Sequence, residues 1–246
     1  MLLALFLIDL AAGLYLFLPL VGRRNAGVKF YRLILITTGV LALCAYLADF
    51  AAHGGHFRIH ALPAITLTII VFATLRYPKR LIFRIPAALL GIVYLVLPVI
   101  AWREGTHTSI PWSIAGALSS VALLGSVNLA MLLGHWYLVV RGMAIDPLKR
   151  LTIATLAATS LKIVAVAIAI VAGGAWYEVA IRQGIFFWMR AGWGLMGPLL
   201  LYPMVWGTVK IRSTMAATGI LYVDVVAVVI GEVLGAWLSA IAHIPV

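Results

Sequence analysis

The sequence predicts an all-α integral membrane protein, a bundle of about eight transmembrane helices with both termini outside. Three observations carry this. Hydrophobic residues make up 65% of the 246 and charged residues only 10%, with mean hydropathy +1.14. Apolar runs of about eighteen residues or more, long enough to cross a bilayer, recur along the whole chain. The basic residues behind the net charge of +11 cluster in short connections between those runs. There they read as orientation signals and contacts with anionic lipid, not as a nucleic-acid surface, because no soluble basic domain can be cut out.

The expected spans are roughly 1–21, 33–52, 60–77, 85–102, 111–140, 151–175, 186–209 and 214–240. Together they make residues 1–246 a single polytopic domain. Span one starts apolar, without a basic leader region or a small-residue cleavage site. It therefore reads as a retained helix carrying Asp9 near mid-depth. Span two follows Arg23, Arg24, Lys29 and Arg32. It holds Cys44, the single cysteine, expected as a small buried hydrophobe; one cysteine excludes an internal disulfide and cysteine-ligated zinc or iron–sulfur sites. Span three leads into Arg76, Lys79, Arg80 and Arg84, and span four carries Pro98. Pro19, Pro98 and Pro203 are placed to kink their helices, since neighbouring helices can satisfy the freed carbonyls.

Span five is the expected centre. Ala122, Ser126, Ala130 and Gly134 recur every fourth position, a stripe where other helices can approach closely. Asn128 and His135 put polar groups on a different face. Span six sets Thr152, Thr155, Thr159 and Lys162 along one polar stripe. Span seven opens on Phe186-Phe187-Trp188-Met189-Arg190 and runs through Trp193, an aromatic belt or a docking surface for other subunits. Span eight carries Asp224, and Glu232 between Gly231 and Gly235.

Loop charge orients the bundle. Arg141, Lys149 and Arg150 against Asp146 fill the fifth loop, and Lys210 and Arg212 the seventh. The even loops hold little: Arg58, then Arg103 against Glu104, then Glu178 against Arg182. Odd loops are therefore cytoplasmic. The address that fits is the inner or plasma membrane of a bacterial or archaeal cell.

A duplication is also legible, with repeats over 1–105 and 111–246. Asp9-Leu10-Ala11 resembles Asn128-Leu129-Ala130, and Tyr31-Arg32-Leu33 resembles Lys149-Arg150-Leu151. The stretch from Val71 to Arg76 resembles that from Val205 to Lys210. Gly91 to Tyr94 resembles Gly219 to Tyr222, and Ala101-Trp102 resembles Ala236-Trp237. The order is kept, so two parallel four-helix halves would pack about an axis along the membrane normal.

Charges in a bilayer core cost roughly 2.5–3.5 kcal/mol each and turn toward protein or water. By helical rise Asp9, Asn128, Lys162 and Asp224 fall near the midplane and form one expected polar layer. Lys162 there is either the partner of Asp224 or Asp9 in a structural ion pair, or part of a proton or ion pathway. Arg190 and Glu232 are expected at a separate level nearer the outer surface, as a pair or as a site for an anionic headgroup, quinone or partner subunit.

Histidines other than His135 fall on the expected outer side. His53, His56 and His60 lie within HGGHFRIH, and His107 in the fourth loop. Such a set can bind copper or zinc, or hold a haem through an imidazole, or serve as interfacial residues alone. His135, beside Trp136 and Tyr137, is a candidate quinone partner or point where protons enter. No phosphate-binding glycine loop, nucleophile elbow or HExxH motif occurs. The expected function is thus a non-catalytic membrane subunit of a redox or energy-converting complex. It would anchor partner subunits among membrane lipids, conduct protons or bind quinone. The alternatives are a proton-coupled small-solute transporter and a membrane haem or metal protein.

Overall fold

A computed structural model describes residues 1–52, 61–140 and 142–246. Among them every regular element is helical. Helices α1 (Leu2–Val21), α2 (Arg23–Ala52), α3 (Leu62–Thr74), α4 (Leu81–Thr106), α5 (Ile110–Val139) and α6 (Asp146–Ala172) come in order. A π-helical turn, Tyr177–Arg182, precedes α7 (Ile185–Met189). α7 runs through a π-helical segment, Arg190–Met196, into α8 (Gly197–Lys210), and α9 (Thr214–Ala242) closes the fold.

Six helices (α1, α2, α4, α5, α6 and α9) are long and apolar enough to cross a membrane. Expected span three appears as α3, whose 13 residues reach about 20 Å, short of a bilayer core. Expected span seven is a rod of α7, π segment and α8. Its register shift falls just before Pro198, which has no N–H to donate to the carbonyl of the preceding turn. Large apolar side chains cover the outside: Ile36, Val40 and Leu47 on α2, Leu161, Val164 and Ile168 on α6, Val226 and Val233 on α9. Such a surface suits lipid and not water. Cys44 belongs to it, exposed on α2 instead of buried as expected, because the inward face of α2 is taken by Thr38, Ala42 and Ala45.

α5 is central. It packs on α1, α4, α6 and α9, and 78% of its apolar window is buried, more than in any other candidate span. Its closest approach lies off the expected small-residue stripe. Gly125 meets Gly13 of α1 so tightly that a Cβ on Gly13 would sit 2.6 Å from the Gly125 Cα. Within the stripe, Gly134 admits Thr218 of α9, whose Oγ1 would be 2.8 Å from a Cβ there.

One core region joins the C-terminal ends of α1, α5 and α8 to the N-terminal ends of α2, α6 and α9, for example through Leu18, Leu133, Val209, Phe30, Leu151 and Leu221. The basic connections of the sequence gather at this end, hereafter the basic end. Gly27 kinks α2 there at φ 76°, a conformation that favours glycine. The far end is packed by Leu123, Val166, Phe187, Val228 and the chain's last residues, Ile244 and Val246.

Candidate functional site

The site begins with Glu232, which α9 carries into the far half of the bundle. Its Oε1 accepts from Arg190 Nη2 at 2.8 Å, and its Oε2 accepts from Ser120 Oγ of α5 at 2.5 Å. Lys162 Nζ of α6 stands 3.5 Å from Oε2 and donates to the same Ser120 Oγ at 2.7 Å. The hydroxyl therefore accepts from the ammonium and donates to the carboxylate. Lys162 Nζ also sits 5.3 Å from the centroid of the Trp102 ring on α4. The Trp102 indole N–H in turn donates to Asp9 Oδ2 of α1 at 2.7 Å. Six elements thus meet in one network with two acids and two bases. None of its members is more than 4% exposed.

Glycines make the room. A Cβ on Gly235 would lie 2.8 Å from Arg190 Nε, and one on Gly231 would lie 3.0 Å from Nη1 and 2.5 Å from the Gly194 Cα. The guanidinium rests in a notch cut by three glycines, and the π register of Arg190–Met196 turns Arg190 and Gly194 together toward α9. Gly116 of α5 makes the matching space for Trp102, whose ring atoms would stand 2.7 Å from a Cβ. Asp9 Oδ1 and Arg190 Nε and Nη1 remain buried without hydrogen-bond partners.

The structure redraws the expected polar layer. Lys162 meets neither Asp224 nor Asp9 directly; its carboxylate is Glu232, so the two expected levels merge into one. The reason is helix length. α6 opens at Asp146 and not at 151, so Lys162 lies nearer the Ala172 end, level with Glu232 in α9. Asp224 sits toward the basic end of α9, 2% exposed, with Oδ1 unpartnered. Asn128 stays on its own helix, donating to Leu124 O at 2.8 Å. Thr152, Thr155 and Thr159 face the core, yet each hydroxyl donates to a carbonyl of its own helix. Of its members, Ser120 drew no expectation from the sequence, and Trp102 entered only as the counterpart of Trp237 in the repeat. A lone serine in an apolar span and a tryptophan near a span end carry no signal until their neighbours are known.

His135 is exposed, with Nδ1 3.4 Å from Tyr222 OH. Trp136 Nε1 donates to Ala26 O and Tyr137 OH to Ala144 O, tying α5 to its neighbours at the basic end. His107 and His243 cap α4 and α9 in left-handed conformations, with ring centroids 6.4 Å apart. His53, His56 and His60 lie outside the described residues. Among those described, no group of three or more His, Cys, Asp or Glu is placed to hold a metal ion. The aromatic cluster at the start of span seven sets Trp176 edge-to-face against Phe187 and Trp188, and Phe186 edge-to-face against Trp237, leaving Trp176, Trp188 and Trp193 about half exposed.

Lys162, Ser120 and Glu232 form a continuous hydrogen-bonded run. Such a run would let a proton leaving Lys162 Nζ pass to Ser120 Oγ as the hydroxyl proton passes to Glu232, giving a neutral amine and a carboxylic acid. The Arg190 guanidinium faces the other carboxylate oxygen and balances its charge. No family model, curated protein or solved structure matches this chain.

Proposed function

We propose that this chain is a non-catalytic integral membrane subunit of a redox or energy-converting complex, and that its charge network exchanges protons within the membrane. In this reading the basic loops are cytoplasmic and both termini lie outside, with the six long helices joined by two further passes, the short α3 and the rod of α7, π segment and α8. The observation that carries it is the hydrogen-bonded run from Lys162 through Ser120 to Glu232, buried at the meeting of six elements. Ionisable groups at membrane depth are costly, and proton and ion pathways are among the places that keep them. The half-exposed tryptophans around Trp188 support a docking surface for partner subunits. The test is purification from the native membrane in mild detergent. Stoichiometric partner chains are expected; a lone monomer or dimer overturns the subunit reading.

A second reading, a small proton-coupled transporter, is favoured by one specific observation. The network draws Asp9 and Trp102 from the first four helices and Ser120, Lys162, Arg190 and Glu232 from the rest. Repeats over 1–105 and 111–246 are part of this proposal. The neighbour scheme supports them: α1 packs on α2 and α4 as α5 packs on α6 and α9, and α3 lies between α2 and α4 as α8 lies between α6 and α9. α4 and α9 also end alike, on His107 and His243. The chain alone would then drive proton-coupled uptake in liposomes, and Glu232→Gln would abolish it.

A further inference from the structure

At the basic end, α1 to α4 line an open groove of about 420 Å³ that includes Tyr15, Leu18, Val71, Leu75, Phe83 and Gly91. Its walls are almost wholly apolar. The polar atoms at hand are spent: Tyr15 OH donates to Ala87 O at 2.8 Å, and Tyr31 OH donates to Leu18 O at 3.2 Å. A second apolar groove of about 290 Å³ between α2 and α3 shares the Leu35 wall and continues along Gly39, Ile69 and Phe72. The occupant of such space is hydrocarbon.

Charge decides what the hydrocarbon belongs to. Lining residues are followed directly by exposed cations: Tyr31 by Arg32, Leu75 by Arg76, Phe83 by Arg84. Arg24, Lys29, Lys79 and Arg80 stand in the same two connections, and neither connection holds an acid. Arg23 adds a more pointed signal. Its Nη1 is buried without a hydrogen-bond partner, and its charge lies within electrostatic reach of the Tyr31 hydroxyl on the groove wall.

We propose that this groove binds one anionic glycerophospholipid, with an acyl chain between α1 and α4, the second chain along α2 and α3, and the phosphate on the Arg23, Arg32, Arg76 and Arg84 side. A quinone headgroup would need donors along the groove, and among the described lining residues the hydroxyls of Tyr15 and Tyr31 are already given to backbone carbonyls, which leaves only the cationic rim. A soluble organic anion would leave the apolar walls uncovered. The proposal rests on the membrane reading alone and is independent of partner subunits or proton transfer.

The experiment titrates the full chain in mild detergent with phosphatidylglycerol or phosphatidylcholine and counts bound lipid by native mass spectrometry. Phosphatidylglycerol is expected to bind roughly tenfold more tightly. Gly91→Leu should remove that binding, because a Cβ at Gly91 meets only the Tyr15 ring, at 4.0 Å, and the side chain grows into the groove. Should Gly91→Leu lower thermal stability, Ala88→Phe on the exposed wall gives the same readout. Arg76→Gln with Arg84→Gln should bring phosphatidylglycerol down to the phosphatidylcholine level. Equal binding of the two lipids overturns the proposal. So does full phosphatidylglycerol binding by both groove-filling variants, which would assign the lipid to the loops alone. Resistance to alkaline extraction is scored separately: its loss rejects the membrane reading, whereas insertion without lipid preference rejects only the groove.

Discussion

Glu232 is the residue on which the far half of the bundle depends, since one carboxylate faces two buried cations and a hydroxyl. Burying ions is expensive, and breaking a buried pair by removing one partner costs about 3–5 kcal/mol because the survivors stay charged and desolvated. Glu232→Gln should therefore lower unfolding stability in detergent by about that much, read from denaturant or thermal curves. Lys162→Met combined with Glu232→Gln should cost less than the two single changes together, since the double variant strands one cation instead of two. The coupling expected from such a cycle is about 0.5–3 kcal/mol. Additive losses would mean that Lys162 and Glu232 do not interact. From the sequence, the pair Arg190 and Glu232 was legible through similar depth and the flanking Gly231 and Gly235. Lys162 was legible as buried but was set beside the wrong acid. Its partner depends on where α6 begins, and Pro147, which starts that helix, lies in what the hydropathy alone assigns to a loop.

At the scale of elements, the α1–α5 crossing and the π segment decide how the network is assembled. Backbones touch at Gly13 and Gly125, so α5 can bring Ser120 to the same level as α1 brings Asp9. Gly125→Leu should prevent this approach, seen as loss of monodisperse protein in detergent size-exclusion chromatography. Gly219→Ala is its control. That glycine lies in the helical run of α9 with nothing within 4 Å of a Cβ, so the exchange should stabilise by roughly 0.5–1 kcal/mol. Equal tolerance of both changes would remove the crossing from the account. The π register was not readable beforehand. Gly194, Gly197 and Pro198 mark a weak helix, but its extra turn forms because Arg190 and Gly194 gain a packed face on α9.

For the whole molecule, the exterior apolar faces and the one-sided distribution of basic loops define a frame that can be tested directly. On a Cys44→Ser background, cysteines placed at Lys79 and Arg212 should be protected from a membrane-impermeant maleimide in intact cells, and one at Arg182, exposed in the sixth loop, should be labelled. The reverse pattern would invert the proposed topology and with it the side from which the lipid groove is reached. Access to the network is a matter of the same frame. A cavity of about 50 Å³ at the far end is lined by Ile8 and Ala101, chain neighbours of Asp9 and Trp102, with Asp49 and Glu104 at its wall. It has room for a water molecule, one residue along the chain from Asp9 and Trp102.

The sequence by itself determined the helical class, the central place of span five and the burial of Asp9, Lys162, Arg190, Asp224 and Glu232. These follow from local composition, because a long apolar run can satisfy its backbone only as a helix and charges within it must turn inward. Tertiary structure alone decided the partners. It joined Lys162 to Glu232 through Ser120, set Trp102 between Lys162 and Asp9, and left Asn128 and Asp224 outside. Depth along a helix is one coordinate, recoverable from counting residues. Rotation about each axis and the spacing between axes come from glycine contacts such as Gly13 with Gly125 and Gly194 with Gly231, which exist only once two distant segments meet.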